Sequence, residues 1–194
     1  VLKKDDFDPI MVDVPKDIET PRLTLRCSRP SDAPEVLAAI TDSFEELHRW
    51  MRWADELPTL HEVEAHSRRL HIRFHQRDAL PYRAYLKGTD TMVATCDLHH
   101  IDWNVPKFEI GYWVRTKFAG QGYMRECVKA VTKLAFSLGA KRVEIRSSSD
   151  NVRSCRVAEA CGFELEGTLR HDNRWPNGDL KDMRVYSRIE PLPD

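Results

Sequence analysis

Apolar and polar residues alternate through "RLTLRCS", residues 22–28, the period of a half-buried strand. The period then changes. Val36, Ile40, Phe44 and Leu47 recur at helical spacing and predict one continuous helix. Its start carries Ser31 or Asp32 as a cap, Pro34 in the first turn and Glu35 near the positive helix end. Trp50 and Trp53 follow in "HRWMRWADEL". A second helix is expected after Thr59, where Thr59 and Glu62 have the spacing of a capping box. Leu60, Val63, Leu70 and Phe74 carry it to about Arg77. "YRAYLK" and "TMVATCDLHHIDW" predict a hairpin around "GTD", and "KFEIGYWV" predicts the next strand. Beyond "KFAGQG", one helix face holds Met124, Cys127, Val128, Val131, Leu134, Ala135 and Leu138, and Gly139 ends it. "RVEIRS" predicts a strand. "DNVRSCRVAEACGF" predicts a short helix capped by Asp150 or Asn151 and stopped at Gly162. "ELEGTLRHDNRW" and "LKDMRVYSRI" predict a final hairpin turning at Asn177 and Gly178.

The segment "KFEIGYWV", glycine turn, helix, "RVEIRS" is a βαβ unit, so its two strands should be parallel. The fold class is therefore mixed α/β. Residues 18–190 are expected to form a single domain, after a charged, proline-punctuated lead-in over residues 1–17.

Composition narrows the partners. Lys plus Arg number 30 against 31 Asp plus Glu, a net charge of -1, so no broad positive field draws nucleic acid or an anionic membrane. No run of ~18 apolar residues is present, and "VLKKDDFDPI" lacks the apolar core of a signal peptide. Five cysteines without a CxxC pair suggest reduced thiols in a cytoplasmic protein. No metal is expected. "HEVEAH" is one residue longer than HExxH, and five residues rotate a helix by about 500°, which separates His61 from His66. His71 and His75 share a helix face without an evident third ligand. His99 and His100, adjacent on a strand, are expected on opposite faces.

The remaining signal is a glycine pair. Of eight glycines, Gly120 and Gly122 fall at the one strand-to-helix turn of the βαβ unit. Glycine there permits a tight turn, and it also lets a phosphate approach free N–H groups at a helix N-terminus. The nucleoside-triphosphate pattern GxxxxGK with Ser or Thr is absent, and Arg125 stands where a dinucleotide fingerprint needs its third glycine.

"KFAGQG" resembles the cofactor motif of the GNAT superfamily of N-acetyltransferases, with Lys117 where that motif more often has Arg or Gln. "NVRSCRVAEACGF" is similar to the N-x-x-S helix of its RimJ/RimL branch, which acetylates ribosomal-protein N-termini. "LHRWMRWADELPT", "EIGYWV", "LEGTLR" and "NGDLKDMRVYSRI" resemble further segments of that branch, in the same order, over about residues 20–190. The resemblance implies the GNAT acyl-CoA N-acyltransferase fold: a mixed, splayed sheet of about seven strands, flanked by helices on both faces. It implies acetyl-CoA as cosubstrate, with its arm along Tyr112, Trp113 and Val114. Its pyrophosphate would lie on Lys117, Phe118, Ala119, Gly120, Gln121, Gly122, Tyr123 and Met124, with Asn151 and Ser154 beside it.

The implied chemistry is attack of a primary amine on a thioester. Ser154 is the candidate to protonate the departing thiolate, although a serine there also suits a helix cap. Glu109 is the candidate base, or else an exposed strand carboxylate paired with a cation. Relatives place a carboxylate late in the strand after "LEG". Here Asn173 takes that position with Asp172 beside it, and a one-residue shift changes the face. Trp50 and Trp53 either line the acceptor pocket or pack the core. An α-amine, with a pKa near ~7.7–8.0 against ~10.4 for lysine, suits a site whose base is ambiguous. The expected acceptor is thus a protein N-terminus. A small amine such as an antibiotic or polyamine, and a non-catalytic acyl-CoA-binding module, are the alternatives. A homodimer is compatible with each.

Overall fold

The computed structural model describes residues 7–175 and 177–192. Its strands are β1 (Asp17–Glu19), β2 (Leu23–Cys27), β3 (Leu80–Leu86), β4 (Met92–Asp102), β5 (Lys107–Val114), β6 (Arg142–Ser148), β7 (Glu164–Arg174) and β8 (Leu180–Arg188). They make one 8-stranded sheet in the order β1-β2-β3-β4-β5-β6-β8-β7. The expected count was about seven, and the short β1 lies in the stretch where no strand was expected. Only β5 and β6 pair in parallel, as a βαβ unit requires; the other neighbours are antiparallel. The helices are α1 (Ala33–Thr41), α2 (Phe44–Trp50), α3 (Leu60–Gln76), α4 (Tyr123–Ser137) and α5 (Val152–Ala160). Among the described residues no helix is long and apolar enough to cross a membrane.

The sheet is covered on both faces. Ala84 and Tyr85 are neighbours on β3 and so point to opposite sides. Ala84 belongs to a cluster in which Cys127, Val128 and Val131 of α4 pack on Leu25, Cys96 and Ile110. Tyr85 belongs to a second cluster with Val36 and Ile40 of α1 and Val63 of α3. The expected stripes supply Val36, Ile40, Leu47 and Val63 to one cluster and Phe74 with the α4 residues to the other, whereas Phe44 and Leu70 belong to neither and Leu60 is exposed.

The lead-in falls partly outside the described residues, which begin at Phe7. Pro9–Met11 form a 3-10 turn. Farther on, the Val12 carbonyl accepts a hydrogen bond from Arg77 Nε at 2.9 Å.

Two expectations for the first helix need correction. It is not continuous: α1 ends at Thr41 and α2 begins at Phe44. Apolar spacing runs through the break because tertiary contacts make it. The Asp42 carboxylate accepts from Arg115 Nε at 2.8 Å, and Ser43 Oγ accepts from the Thr116 N–H at 2.9 Å. Neither Ser31 nor Asp32 caps α1 through its side chain. Asp32 Oδ2 is used instead by the Arg29 N–H and by Arg83, each at 3.0 Å. Arg83 is 2% exposed, so its charge needs that carboxylate. The Thr59 capping box of α3 forms as expected, with Thr59 Oγ1 accepting from the Glu62 N–H and Glu62 Oε2 from the Thr59 N–H.

Candidate active site

The parallel pairing of β5 with β6 is brief. Lys107, Phe108 and Glu109 pair with Arg142, Val143 and Glu144, and the ladder stops there. Beyond Glu109, β5 keeps β4 on one side while β6 turns to β8. One edge of β5 from Ile110 to Val114 is therefore left without a strand. A cavity of about 780 Å³ opens in this place. Tyr112, Trp113 and Val114 of β5, the glycine turn, α5 and α2 line it.

The turn is built by its glycines. Gly120 and Gly122 sit at φ 77° and 81°, in the left-handed region. At Gly120 a Cβ would touch nothing within 4 Å, so conformation rather than space requires the glycine. Gly122 is the N-cap of α4 and has no side chain to cap it. The N–H groups of Gly122, Tyr123, Met124 and Arg125 meet no acceptor among the described residues. They are thus available to a ligand. Arg22 clamps the turn from outside: its Nη1 donates to the Gln121 carbonyl at 3.0 Å and its Nε meets Glu126 Oε2 at 2.7 Å. Thr20 Oγ1 donates to the same carboxylate at 2.7 Å. Burial alone would raise the Glu126 pKa, and these hydrogen bonds outweigh it and lower it.

Across the cavity, α5 begins with Asn151, whose Oδ1 accepts from the Ser154 N–H at 3.1 Å. The cap is Asn151, which leaves the Ser154 hydroxyl for other work. Its Oγ lies 3.1 Å from the Tyr112 hydroxyl, which also reaches the Ser154 carbonyl at 3.0 Å. Burial pushes the Tyr112 phenol well above its usual value, so it stays protonated. Two hydroxyls thus meet beside the gap between β5 and β6. Arg125, Arg153 and Arg156 add positive charge to the lining.

Of the expected cofactor residues, Tyr112, Trp113, Val114, Phe118, Ala119, Gly120, Gly122, Tyr123, Met124, Asn151 and Ser154 all line this cavity. Lys117 and Gln121 do not. Lys117 Nζ pairs with Asp42 at 3.3 Å, and Gln121 closes the turn by donating to the Lys117 carbonyl at 3.2 Å. Trp50 lines the cavity and packs at a tilt against Trp175, with ring centroids 5.5 Å apart. Trp53 is half exposed, 6.4 Å from Trp113, and does not line the cavity. Asp172 is spent on Arg146 at 2.7 Å, and Asn173 Oδ1 accepts from the Arg174 N–H at 2.7 Å.

Glu109 does not line the cavity. Its Oε2 is 2.9 Å from His100 Nδ1 and its Oε1 is 3.5 Å from His99 Nε2. Burial would raise its pKa, but the two histidines overcome this and hold it at about 2. Here the expectation of opposite faces fails. The β4–β5 register shifts after His99, and His100 takes φ 46°, so both imidazoles turn to one carboxylate.

Sequence reasoning missed Arg153 and Arg156, although their i, i+3 spacing in "NVRSCR" puts them on one helix face. It also missed Thr20, Arg22 and Glu126, which meet only after the chain folds back. The Tyr112 hydroxyl was legible as a strand residue but not as the partner of Ser154.

Comparison with known proteins matches this geometry. YdaF of Bacillus subtilis, named for a proposed ribosomal N-acetyltransferase activity, is 28% identical over 169 residues, 87% of this chain and 91% of its own. A Salmonella typhimurium acetyltransferase described as modifying the N-terminal serine of 50S subunit protein L7/L12 superposes with a TM-score of 0.79. It is 26% identical, and the match covers 90% of this chain and 99% of that one. The ribosomal L7/L12 alpha-N-protein acetyltransferase RimL, solved with coenzyme A, superposes at 0.83 with 24% identity over 89% of this chain and 97% of its own, a likeness of fold. The acetyltransferase (GNAT) domain model matches residues 22–164, from the clamp arginine to the first residue of β7. Splayed strands, glycine turn and capped helix all fall within that span, and the chain belongs to the GNAT family of acetyltransferases.

Proposed function

We propose that this acetyltransferase uses acetyl-CoA and acetylates the α-amine of a protein N-terminus, of the ribosomal-protein type. The observation that carries the reading is the Tyr112–Ser154 hydroxyl pair, 3.1 Å apart, where β5 leaves β6. The residues present fit the cofactor. The free N–H groups opening α4 and the positive helix end suit a pyrophosphate, and Arg125, Arg153 and Arg156 add charge-assisted donors. The unpaired edge of β5 offers backbone groups to an extended amide-bearing arm.

Acetyl-CoA supplies an activated acetyl group: the acceptor nitrogen forms the C–N bond, the C–S bond breaks, one proton goes to solvent and one to the sulfur. Ser154 Oγ–H is assigned to protonate that sulfur and to regain a proton from the acylated nitrogen, with Tyr112 holding the hydroxyl in place. A backbone N–H on the free edge of β5 is assigned to polarise the acetyl carbonyl. Glu109, paired to two histidines outside the cavity lining, is given a positioning part on β5. Solvent takes the amine proton, which an α-amine releases near neutral pH. Trp50 on Trp175, with Trp53 near Trp113, forms an aromatic wall beside which the acceptor's first residues would lie. The names carried by similar proteins favour the same acceptor.

The test is a rate comparison among free-N-terminal peptides, N-blocked peptides carrying lysine, polyamines and aminoglycosides. Free N-terminal peptides are expected to react fastest. If any N-blocked lysine peptide or small amine outpaces every free N-terminus, the acceptor assignment fails.

A further inference from the structure

We propose that the protein binds a divalent transition metal of the zinc type through His99 Nε2, His100 Nδ1 and the Glu109 carboxylate. The β4–β5 ladder pairs His99 directly with Glu109 and then shifts register before Asp102. His100 occupies the shift at φ 46°, a left-handed conformation uncommon for a residue with a side chain. That local distortion brings a second imidazole to the carboxylate already faced by the first. The result is three ligand atoms within 4.8 Å of one another. Tetrahedral zinc with arms of about 2.0–2.1 Å places its donors about 3.3 Å apart. In the structure each imidazole faces its own carboxylate oxygen, His100 Nδ1 at 2.9 Å from Oε2 and His99 Nε2 at 3.5 Å from Oε1, and small side-chain rotations would bring the three donors to that spacing.

The surroundings have the features of a metal site. His99 Nδ1 is 2.8 Å from Asp97 Oδ2, so that carboxylate orients the ring with Nε2 towards Glu109, where a metal would take the place of the Nε2 proton. Histidine metal ligands are commonly oriented by such an outer carboxylate. Gly111 makes room for the pair: a Cβ there would lie 2.7 Å from His99 Cε1 and 3.1 Å from Asp97 Oδ1. The His100 side chain is 75% exposed, which gives an ion a path in and leaves space for water. Two imidazole nitrogens and one carboxylate select a zinc-type ion over magnesium or calcium, which prefer oxygen. The site uses none of the residues assigned to the thiolate or the pyrophosphate, so it stands or falls apart from the acceptor reading.

The experiment uses the tag-free full chain, stripped with a chelator that is then removed. Zn²⁺ is titrated by calorimetry and Co²⁺ by visible absorption. One saturable equivalent is expected, with an absorption spectrum of nitrogen and oxygen ligation. His99→Ala and His100→Ala should each weaken binding at least about tenfold, and Asp97→Asn by about 10- to 100-fold. Gly111→Ala should weaken it as well, although it removes no ligand. His100→Ala keeps the test sound if substitution at the more buried Glu109 impairs folding. His75→Ala, at the exposed member of the His71–His75 pair, should change nothing. No saturable binding, binding that survives both His99→Ala and His100→Ala, loss of binding in His75→Ala, or a thiolate absorption band would each overturn the proposal.

Discussion

Replacing Ser154 by Ala separates the two parts this residue can play. The structural cost should be small. Asn151 Oδ1, not the serine hydroxyl, caps α5, and the Tyr112 hydroxyl still has the main-chain carbonyl of residue 154 at 3.0 Å. One hydrogen bond is lost and no buried donor is orphaned, a cost of about 1 kcal/mol. Acetyl-CoA affinity should stay within about threefold, because the helix end and the glycine turn are untouched. Turnover should fall by about 10²–10⁴-fold, the usual contribution of a positioned general acid. At 1.36 kcal/mol per tenfold that is about 2.7–5.4 kcal/mol of barrier, several times the stability effect. Release of free thiol can be followed with a thiol-reactive dye, since all five cysteines of the chain are buried and should add little background. Calorimetry with acetyl-CoA gives the binding side. Tyr112→Phe should lower turnover in the same direction, and the double variant should be no slower than the worse single one, because the two hydroxyls act as a unit. A Ser154→Ala protein that is folded and turns over within about threefold of the native rate refutes the assignment and leaves water as the proton donor.

Gly122→Ala forces a Cβ into φ 81°, and should cost about 1–2 kcal/mol of stability in a denaturant melt and weaken acetyl-CoA binding by calorimetry. Charge removal at Arg153 and Arg156 should raise the Kd for acetyl-CoA and flatten its dependence on salt, with little change in melting temperature. The Arg142 hydrogen bonds, with Ser187 helping, lower the Glu166 pKa to about 2 against a weak opposing effect of burial. Its contribution is therefore complete above an unfolded value of about 4.3 and lost as pH falls towards 2; melting temperatures of the native protein and Glu166→Gln should differ at pH 7 and converge near pH 2–3. The acetylation rate of a free N-terminal peptide should rise through about pH 7–8.5 as the amine loses its proton, measured at saturating acetyl-CoA.

What was legible in the sequence was local. Gly120 and Gly122 could be placed because a left-handed turn before a helix favours glycine, and Asn151 because a cap is a short-range device. The Thr59 capping box was found for the same reason. What was missed depends on distant partners. Apolar spacing carries straight through residues 42 and 43, and only Arg115 and the Thr116 N–H show why the helix breaks there. Alternation assigns His99 and His100 to opposite faces, and a register shift between His99 and Asp102 reverses that. The extent of the gap between β5 and β6 is likewise a property of pairing, which neither strand states alone.

The break at Asp42 and Ser43 bears on the site more than its size suggests. Arg115, 5% exposed, gathers Asp42 at 2.6 Å and Glu35 at 2.8 Å at the end of β5. A cation so buried requires its carboxylates, so the end of β5 is tied to α1. Ser43 holds the Thr116 N–H, which starts the 3-10 turn Thr116–Phe118 leading to the glycines. On the other side, Arg22 and Thr20 hold Glu126 in the first turn of α4. The glycine turn is thus fixed at both ends by charged contacts, while its own N–H groups stay free. A turn left to the flexibility of two glycines would have to be ordered at each binding event, and the cost would come out of the affinity. Ending α1 early also redirects the chain, and the second short helix then delivers Trp50 to the cavity and to Trp175. One interruption of helical periodicity therefore anchors the cofactor turn and aims the aromatic wall proposed for the acceptor. A continuous helix through residue 50 would leave Thr116 without its Ser43 acceptor and would point Trp50 elsewhere.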